Sequence, residues 1–178
     1  MEHAQTDPQA FATLYLRYID SIHAHCYWRL GDREAAEDAT SQIFTQALAG
    51  LARFDDQRGS FRSWLYTIAH HVVVDHYRKS PRSGTLDGAA DVPATDLSPE
   101  DHALAAEQER SLHAALDALP ARERQVVELR LAGLTGSEIG TVLGCRTGAV
   151  GTAQFRAVRK LRALLAVDDI QVEGPHNV

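Results

Sequence analysis

Apolar residues recur every three to four positions along most of the chain, which is the spacing of amphipathic helices. The pattern predicts three helices before residue 80 and four after residue 97, and no stretch alternates as a strand would. The predicted helices lie near 8–30, 33–52 and 61–79 and then begin near Ser98, Pro120, Thr135 and Thr147. Leu48, Leu131 and Val158 are among the residues expected to face inward. We therefore expect an all-α fold.

Residues 81–99 interrupt this pattern. Pro, Gly, Ser, Thr and Asp dominate there and no apolar period survives, which predicts a flexible, acidic linker. The linker would join two small helical domains, 1–80 and 100–168, with 169–178 as a polar tail. The first domain should be a bundle of three to four helices.

The charge is distributed unevenly. The formal net charge of −6 argues weakly against nucleic-acid binding, yet 81–120 alone carries 2 Lys/Arg residues against 8 Asp/Glu. Two segments, 58–82 and 146–162, hold five basic residues each; the first contains one acidic residue, Asp75, and the second none. We call them the first and second basic islands, and a phosphate backbone would select such segments.

Several functional classes are disfavoured. No apolar run approaches the roughly 20 residues of a membrane span, and the first residues do not resemble a signal peptide, so we expect a cytoplasmic protein. Cys26 and Cys145 lie far apart and are interpreted as reduced, buried residues, with a redox pair as the alternative. His71 and Asp75 could share a helix face, but no second carboxylate motif accompanies them. No catalytic motif occurs, and we predict neither an enzyme nor a metal or cofactor.

A short helix, a turn and a longer basic helix follow residue 134, which is the order of a helix-turn-helix motif. Thr135 and Glu138 have the spacing of a capping box, and Gly144 lies in the turn. The second helix of such a motif enters the major groove. The residues expected to face DNA are Arg146, Thr147, Gly148, Gly151, Thr152, Phe155, Arg156 and Arg159. The alternative is a helical hairpin with a solvated basic face.

Two sets of residues resemble the group 4 (extracytoplasmic-function, ECF) sigma factors of the sigma-70 family. In the first half they are Ala36-Glu37-Asp38-Ala39, Phe44, Phe54-Asp55, Phe61-Arg62-Ser63-Trp64-Leu65, Ile68-Ala69 and Asp75-His76-Tyr77-Arg78. In the second they are Ala118-Leu119-Pro120, Arg124, Val126, Leu129-Arg130, Glu138-Ile139, Leu143-Gly144-Cys145, Gly148-Ala149-Val150 and Phe155-Arg156-Ala157. The halves resemble sigma domains 2 and 4, in the family's order.

The resemblance implies a division of roles. Domain 2 would bind the clamp helices of the largest subunit of core RNA polymerase through Glu37, Asp38 and Gln42, although the two acids also simply favour a helix start. The loop 54–60 and the third helix would melt the −10 element and hold one strand. The implied −10 contacts are Arg58, Phe61, Arg62, Trp64, His71, Asp75, Arg78 and Lys79, with core packing as the alternative for Phe61 and Trp64.

Domain 4 would read the −35 element of promoter DNA and meet the flap of the second-largest subunit. The resemblance also makes an anti-sigma factor a candidate partner and implies no membrane contact. The sequence departs from the family pattern at Ser41-Gln42, His71, Gly151 and Ala153, and the last two predict an unusual or weakly read −35 sequence. Two other classes are weighed. A stand-alone helix-turn-helix regulator would need strands for a receiver domain in 1–80, and a protein-binding adaptor would not need basic islands.

Overall fold

The computed structural model describes residues 8–79 and 99–171, which form seven α-helices and two short 3-10 turns and contain no strand. The helices are α1 (Pro8–Leu30), α2 (Arg33–Gly50), α3 (Phe61–Lys79), α4 (Pro99–Asp117), α5 (Ala121–Leu131), α6 (Gly136–Val142) and α7 (Thr147–Gln171). The 3-10 turns are Leu51–Arg53 and Asp56–Arg58. The all-α prediction is confirmed.

Short polar side chains determine where several helices begin. The carboxylate of Asp32 accepts from the backbone N–H of Ala35 at 2.7 Å and starts α2. The hydroxyl of Ser60 accepts from the backbone N–H of Ser63 at 3.1 Å and starts α3. The predicted capping box of α6 is present, because Thr135 and Glu138 each bind the other's backbone N–H. Each cap satisfies a donor that the helix leaves unpaired, which makes these boundaries readable from local sequence.

The first of two compact units comprises Met1–Gly88 and Leu129–Thr147. Within it α1 packs on α2 and α3, α2 packs on α3, and α3 also contacts α6. Its largest fully buried side chains are Ile22, Ile43, Leu65, Tyr66, Val73, Leu134 and Ile139. Burying one large apolar side chain stabilises a fold by about 1.5–3 kcal/mol, so this core fixes the position of α3.

An aromatic cluster supports the loop 54–60. The ring centroids of Phe54 and Phe61 lie 5.8 Å apart, and Trp64 lies 5.1 Å from Phe54 and 5.5 Å from Phe61. Tyr18 on α1 contacts Phe61 at 5.7 Å. Offset and edge contacts at these distances favour one arrangement of the rings, so both ends of the loop are held by the core.

The second unit comprises Ala89–Glu128 and Gly148–Val178. Its buried apolar residues include Ala115, Leu116, Leu119, Val126, Val150 and Ala157. Arg124 forms a 2.6 Å ion pair with the buried carboxylate of Glu128 and also pairs with Asp117. Pairing both acids with one guanidinium gives the buried charge of Glu128 a partner, which a buried charge requires.

Leu165 of the last helix, also expected to face inward, and three further residues of that kind are exposed instead. Leu48 is 57% exposed, Leu131 65% and Val158 37%. Leu48 and Val158 directly follow the buried residues Ala47 and Ala157 in their helices. A periodic pattern overestimates the width of the buried face in this way, because apolar side chains are tolerated at a protein surface.

The predicted linker lies outside the described residues except for Pro99, where α4 begins, and residues 172–178 of the predicted tail lie outside them as well. The domain boundaries 1–80 and 100–168 therefore stay predictions. None of the α-helices in the described ranges combines the length and the hydrophobicity that a membrane-spanning segment requires.

Candidate nucleic-acid and polymerase interface

The loop 54–60 presents the beginning of the first basic island. The carboxylate of Asp55 accepts from the backbone N–H of Gln57 at 3.0 Å and starts the second 3-10 turn. This turn carries Arg58, whose side chain lies outside the described part of the structure. Ser60 and Arg62 follow within one helical turn, so the polar residues of this loop end lie close together.

The guanidinium of Arg62 is bound by both carboxylate oxygens of Glu138. Its Nε donates to Oε1 at 3.2 Å and its Nη2 donates to Oε2 at 2.7 Å, and the hydroxyl of Ser60 donates to Oε1 at 2.8 Å. Oε2 also accepts from the backbone N–H and the hydroxyl of Thr135, both at 2.9 Å. The hydrogen bonds from Arg62, followed by those from Thr135 and Ser60, lower the pKa of Glu138 to about 2.

The −10 candidates on α3 fall into two groups. Trp64, His71, Asp75 and Arg78 are spaced i, i+7, i+11 and i+14 and therefore share one face of the helix. Arg62 projects from the opposite side, with the loop end. His71 is exposed, Trp64 is half-buried, and Arg78 forms an exposed 3.7 Å ion pair with Asp75. The side chain of Lys79 lies outside the described part of the structure.

Phe61 is buried, with 6% of its surface exposed, among the aromatic rings described above. Core packing, the alternative given for this residue, describes its position. A contact between Phe61 and a base stays a prediction, and its burial does not support it.

The second basic island presents an exposed face of α7. Gly148, Gly151, Thr152, Phe155 and Arg159 share that face and are all exposed, whereas the buried Val150 and Ala157 lie on the opposite side. Arg156 lies at the edge of the exposed face. Arg146 and Thr147, at the helix start, are exposed as well. For Arg146, Arg156 and Arg159 the structure records no ion pair within its described ranges.

An open groove of about 590 Å³ runs along this face. It is lined by Gly151, Gln154, Phe155, Val158, Arg159 and Arg162. Arg162 is exposed and lies two helical turns after Phe155. It was not among the −35 candidates predicted from the sequence. The i+7 spacing from Phe155 was the signal that could have identified it. Ala153 is half-buried on the other side of the helix, so a basic residue there would not face the groove.

Two glycines shape the turn before α7. Gly144 has φ 61°, a left-handed conformation that favours glycine. A Cβ on Gly140 would meet the backbone oxygen of Cys145 at 2.7 Å, closer than real Cβ atoms approach. The backbone N–H of Cys145 donates to the carbonyl of Gly140 at 2.8 Å. The turn is therefore closed tightly against α6, with Arg146 directly after it.

The polymerase candidates form an exposed acidic and polar patch on α2. Glu37, Asp38 and Gln42 are exposed, on the side away from the buried Ala36 and Ile43. Glu37 forms a 3.0 Å ion pair with Arg33 one turn earlier, and both side chains are more than half exposed. Such a surface pair contributes little to stability, so these residues are available to a partner.

Buried polar residues of α1 offer no second site. Cys26 is a free thiol and is buried as expected, and burial raises its pKa to about 11, which disfavours the reactive thiolate. Cys145, in the turn before α7, is also a free thiol, but it is half-buried and not buried as expected, because a turn at the surface covers its side chain only in part. Burial, with repulsion from Arg29 and His70, lowers the pKa of His25 to about 3. Among the residues that the structure describes, no cluster of three or more His, Cys, Asp or Glu could hold a metal ion.

Two family models match the chain in order. The model of sigma-70 region 2 matches residues 14–83, and that of sigma-70 region 4 matches residues 109–161. The first match contains the loop 54–60 and α3. The second contains α6, the turn and the exposed face of α7.

Known relatives cover nearly the whole chain. It is similar to the ECF RNA polymerase sigma factor BldN of Streptomyces coelicolor, at 37% identity over 172 residues; the match covers 94% of this chain but 65% of that relative. It is 31% identical over 170 residues to the ECF sigma factor SigW of Bacillus subtilis, covering 89% of this chain and 90% of SigW. Among solved structures, CnrH in complex with the cytosolic domain of CnrY matches with a TM-score of 0.72 and 25% identity, covering 94% of each chain.

Proposed function

Because this chain belongs to the extracytoplasmic-function group of the sigma-70 family, we propose that it contacts promoters through two separate faces, one on α3 and one on α7. As a sigma factor, it serves promoter-specific transcription initiation with RNA polymerase. The observation that carries this conclusion is the presence of both sigma regions, in order, in one chain.

The exposed face of α7 reads the −35 element in this proposal. Arg156, Arg159 and the added candidate Arg162 bind phosphates, while Thr152 and Phe155 reach base edges or a thymine methyl group. Gly151 lies on this face and has no side chain to offer a base. Its position supports a −35 sequence that is read weakly, whereas Ala153 contributes less to that expectation because it faces away.

The loop end and the stripe of α3 hold the melted −10 strand. A positive groove with an accessible ring suits single-stranded DNA, and Trp64, half-buried on the same helix face as His71 and Arg78, is the ring best situated for stacking. Arg58, Arg62 and Lys79 add positive charge. Asp75 keeps Arg78 close to the helix in the absence of DNA.

The patch of Glu37, Asp38 and Gln42 docks on the clamp helices of the largest polymerase subunit, and the second sigma region meets the flap of the second-largest subunit. Reversing the charge with Glu37→Lys should weaken association with core polymerase, measured by co-purification. Glu107→Lys on α4 is the matched control, because Glu107 is similarly exposed and lies outside the patch. Equal retention of both variants would contradict the docking site.

The setting of the protein follows from the same premise. Sigma factors in general are not enzymes, and we extend this to the present chain, which would act in the cytoplasm where core polymerase is found. CnrH is known in complex with the cytosolic domain of CnrY, and Bartonella quintana RpoE in complex with the anti-sigma factor NepR. By analogy, an anti-sigma factor is a proposed partner here.

The decisive experiment combines the purified chain with bacterial core polymerase and a library of genomic fragments. We expect transcripts that start a fixed distance downstream of a shared motif, and permanganate-reactive thymines at −10, only when chain and core are both present. A chain that bound duplex DNA alone and opened none with core would be a stand-alone regulator. A chain that bound neither DNA nor core would be an adaptor for other proteins.

A further inference from the structure

Ser60, Arg62 and Glu138 form a contact between the start of α3 and the start of α6, within the first compact unit. We call these three residues the latch. The two charged partners are separated by 76 positions in the sequence. Their side chains are partly shielded from water, with 33% of Arg62 and 16% of Glu138 exposed.

The chemistry of the latch competes with the chemistry of DNA binding. An arginine fork fits a carboxylate and a phosphate with the same two parallel hydrogen bonds. In the latch, Nε and Nη2 of Arg62 both donate hydrogen bonds to the carboxylate of Glu138. A DNA phosphate that approached the same edge of the guanidinium would find those donors occupied and would be repelled by the carboxylate.

We propose that the latch is an autoinhibitory contact, in which Glu138 occupies the donors of Arg62 in the free chain and releases them when core polymerase and promoter DNA are engaged. This inference rests on the proposed role of Arg62 in holding the −10 strand. It goes further in assigning the first helix of the helix-turn-helix a second role, as an internal competitor of DNA.

Two features of the latch allow the ion pair between Arg62 and Glu138 to break and form again without unfolding its surroundings. Glu138 also caps α6 through Thr135, so α6 keeps its N-terminal hydrogen bonds when Arg62 leaves. The low pKa of Glu138 keeps its carboxylate ionised near neutral pH, so the closed contact is fully charged there. Both partners retain some exposure to water, which screens their attraction. The ion pair is therefore weak enough for a binding partner to displace it.

The test uses the full chain without polymerase and a fluorescent, mixed-sequence single-stranded oligonucleotide at low salt. Glu138→Gln removes the charge but keeps a residue that closes a capping box, and Glu138→Asp keeps the charge but withdraws it by one methylene. We expect Glu138→Gln to bind the oligonucleotide about three- to tenfold more tightly than wild type, with Glu138→Asp in between. Glu107→Gln on α4 measures the gain from losing one negative charge alone. Adding Arg62→Ala to Glu138→Gln should abolish the gain.

A parallel measurement of promoter opening with core polymerase separates the possible failures. If both Glu138 variants bind like Glu107→Gln while Arg62→Ala impairs promoter opening, the latch is overturned and the proposed function stands. If Arg62→Ala leaves promoter opening unchanged, Arg62 is not part of the DNA interface, and the latch fails together with the −10 assignment. Thermal melting of each variant checks that the fold is retained, and the two Glu138 variants provide independent readings.

Discussion

The two basic islands carry five Lys and Arg residues each, but the structure gives their arginines different surroundings. In the first island Arg62 is held by Glu138 and Arg78 lies beside Asp75. In the second, α7 presents Arg156 and Arg159 to solvent on a helix stretch without an acidic residue. The two islands therefore differ in how easily their arginines can bind DNA, although they carry the same number of basic residues. A guanidinium paired with a carboxylate must first break that ion pair before it can bind a phosphate. The difference suits a protein that meets duplex DNA at one face and needs the other after melting.

The largest expected effect is on stability and concerns the turn that precedes the second basic island. Gly140→Ala should lower the free energy of unfolding by about 1–3 kcal/mol, because the new Cβ collides with the backbone oxygen of Cys145 in the turn that precedes Arg146. Gly151→Ala is the matched control: nothing lies within 4 Å of its Cβ, so a gain of up to about 1 kcal/mol is expected in the helix. Urea denaturation measures both. Equal stability of the two variants would show that the turn is not closed as described.

The second-largest expected effect is on the affinity of the second basic island for DNA. With core polymerase present, Arg156→Ala should weaken binding to a −35 duplex by about three- to tenfold, similarly for all sequences, and reduce the slope of log affinity against log salt by about 1. Arg110→Ala on α4, also exposed, controls for the lost charge. A titration at several salt concentrations provides the measurement. A loss confined to particular −35 sequences would instead identify Arg156 as a base reader.

The smallest expected effect is the pH dependence of the stability that the latch contributes. The pKa of Glu138 in the fold, about 2, lies below its ordinary value of 4.5, so the unfolded chain binds the proton more readily. The stability that this carboxylate contributes is therefore present above about pH 4.5 and is lost as the pH falls towards 2. The difference in unfolding free energy between wild type and Glu138→Gln should shrink across that range in denaturant titrations. A difference that stayed constant would mean that the pair does not form in solution.

The sequence predicted the helices well because their signals are local. Asp32, Ser60 and Thr135 start helices by capping backbone donors within three residues, and the apolar spacing identifies each buried face. The helix-turn-helix was predictable for the same reason, since Gly144 and the capping box lie within one short stretch. The apolar pattern was less reliable at Leu131 and Val158, because the width of a buried face depends on what packs against it.

The sequence by itself thus determined the all-α fold, the positions of the helices and the family resemblance, all of which depend on residues close together in the chain. Only the tertiary structure decided that Phe61 belongs to the core and that Arg62 meets Glu138 across 76 positions. The physical reason is that an ion pair between distant residues is set by how α3 and α6 pack. No periodicity or capping signal within either helix encodes its partner.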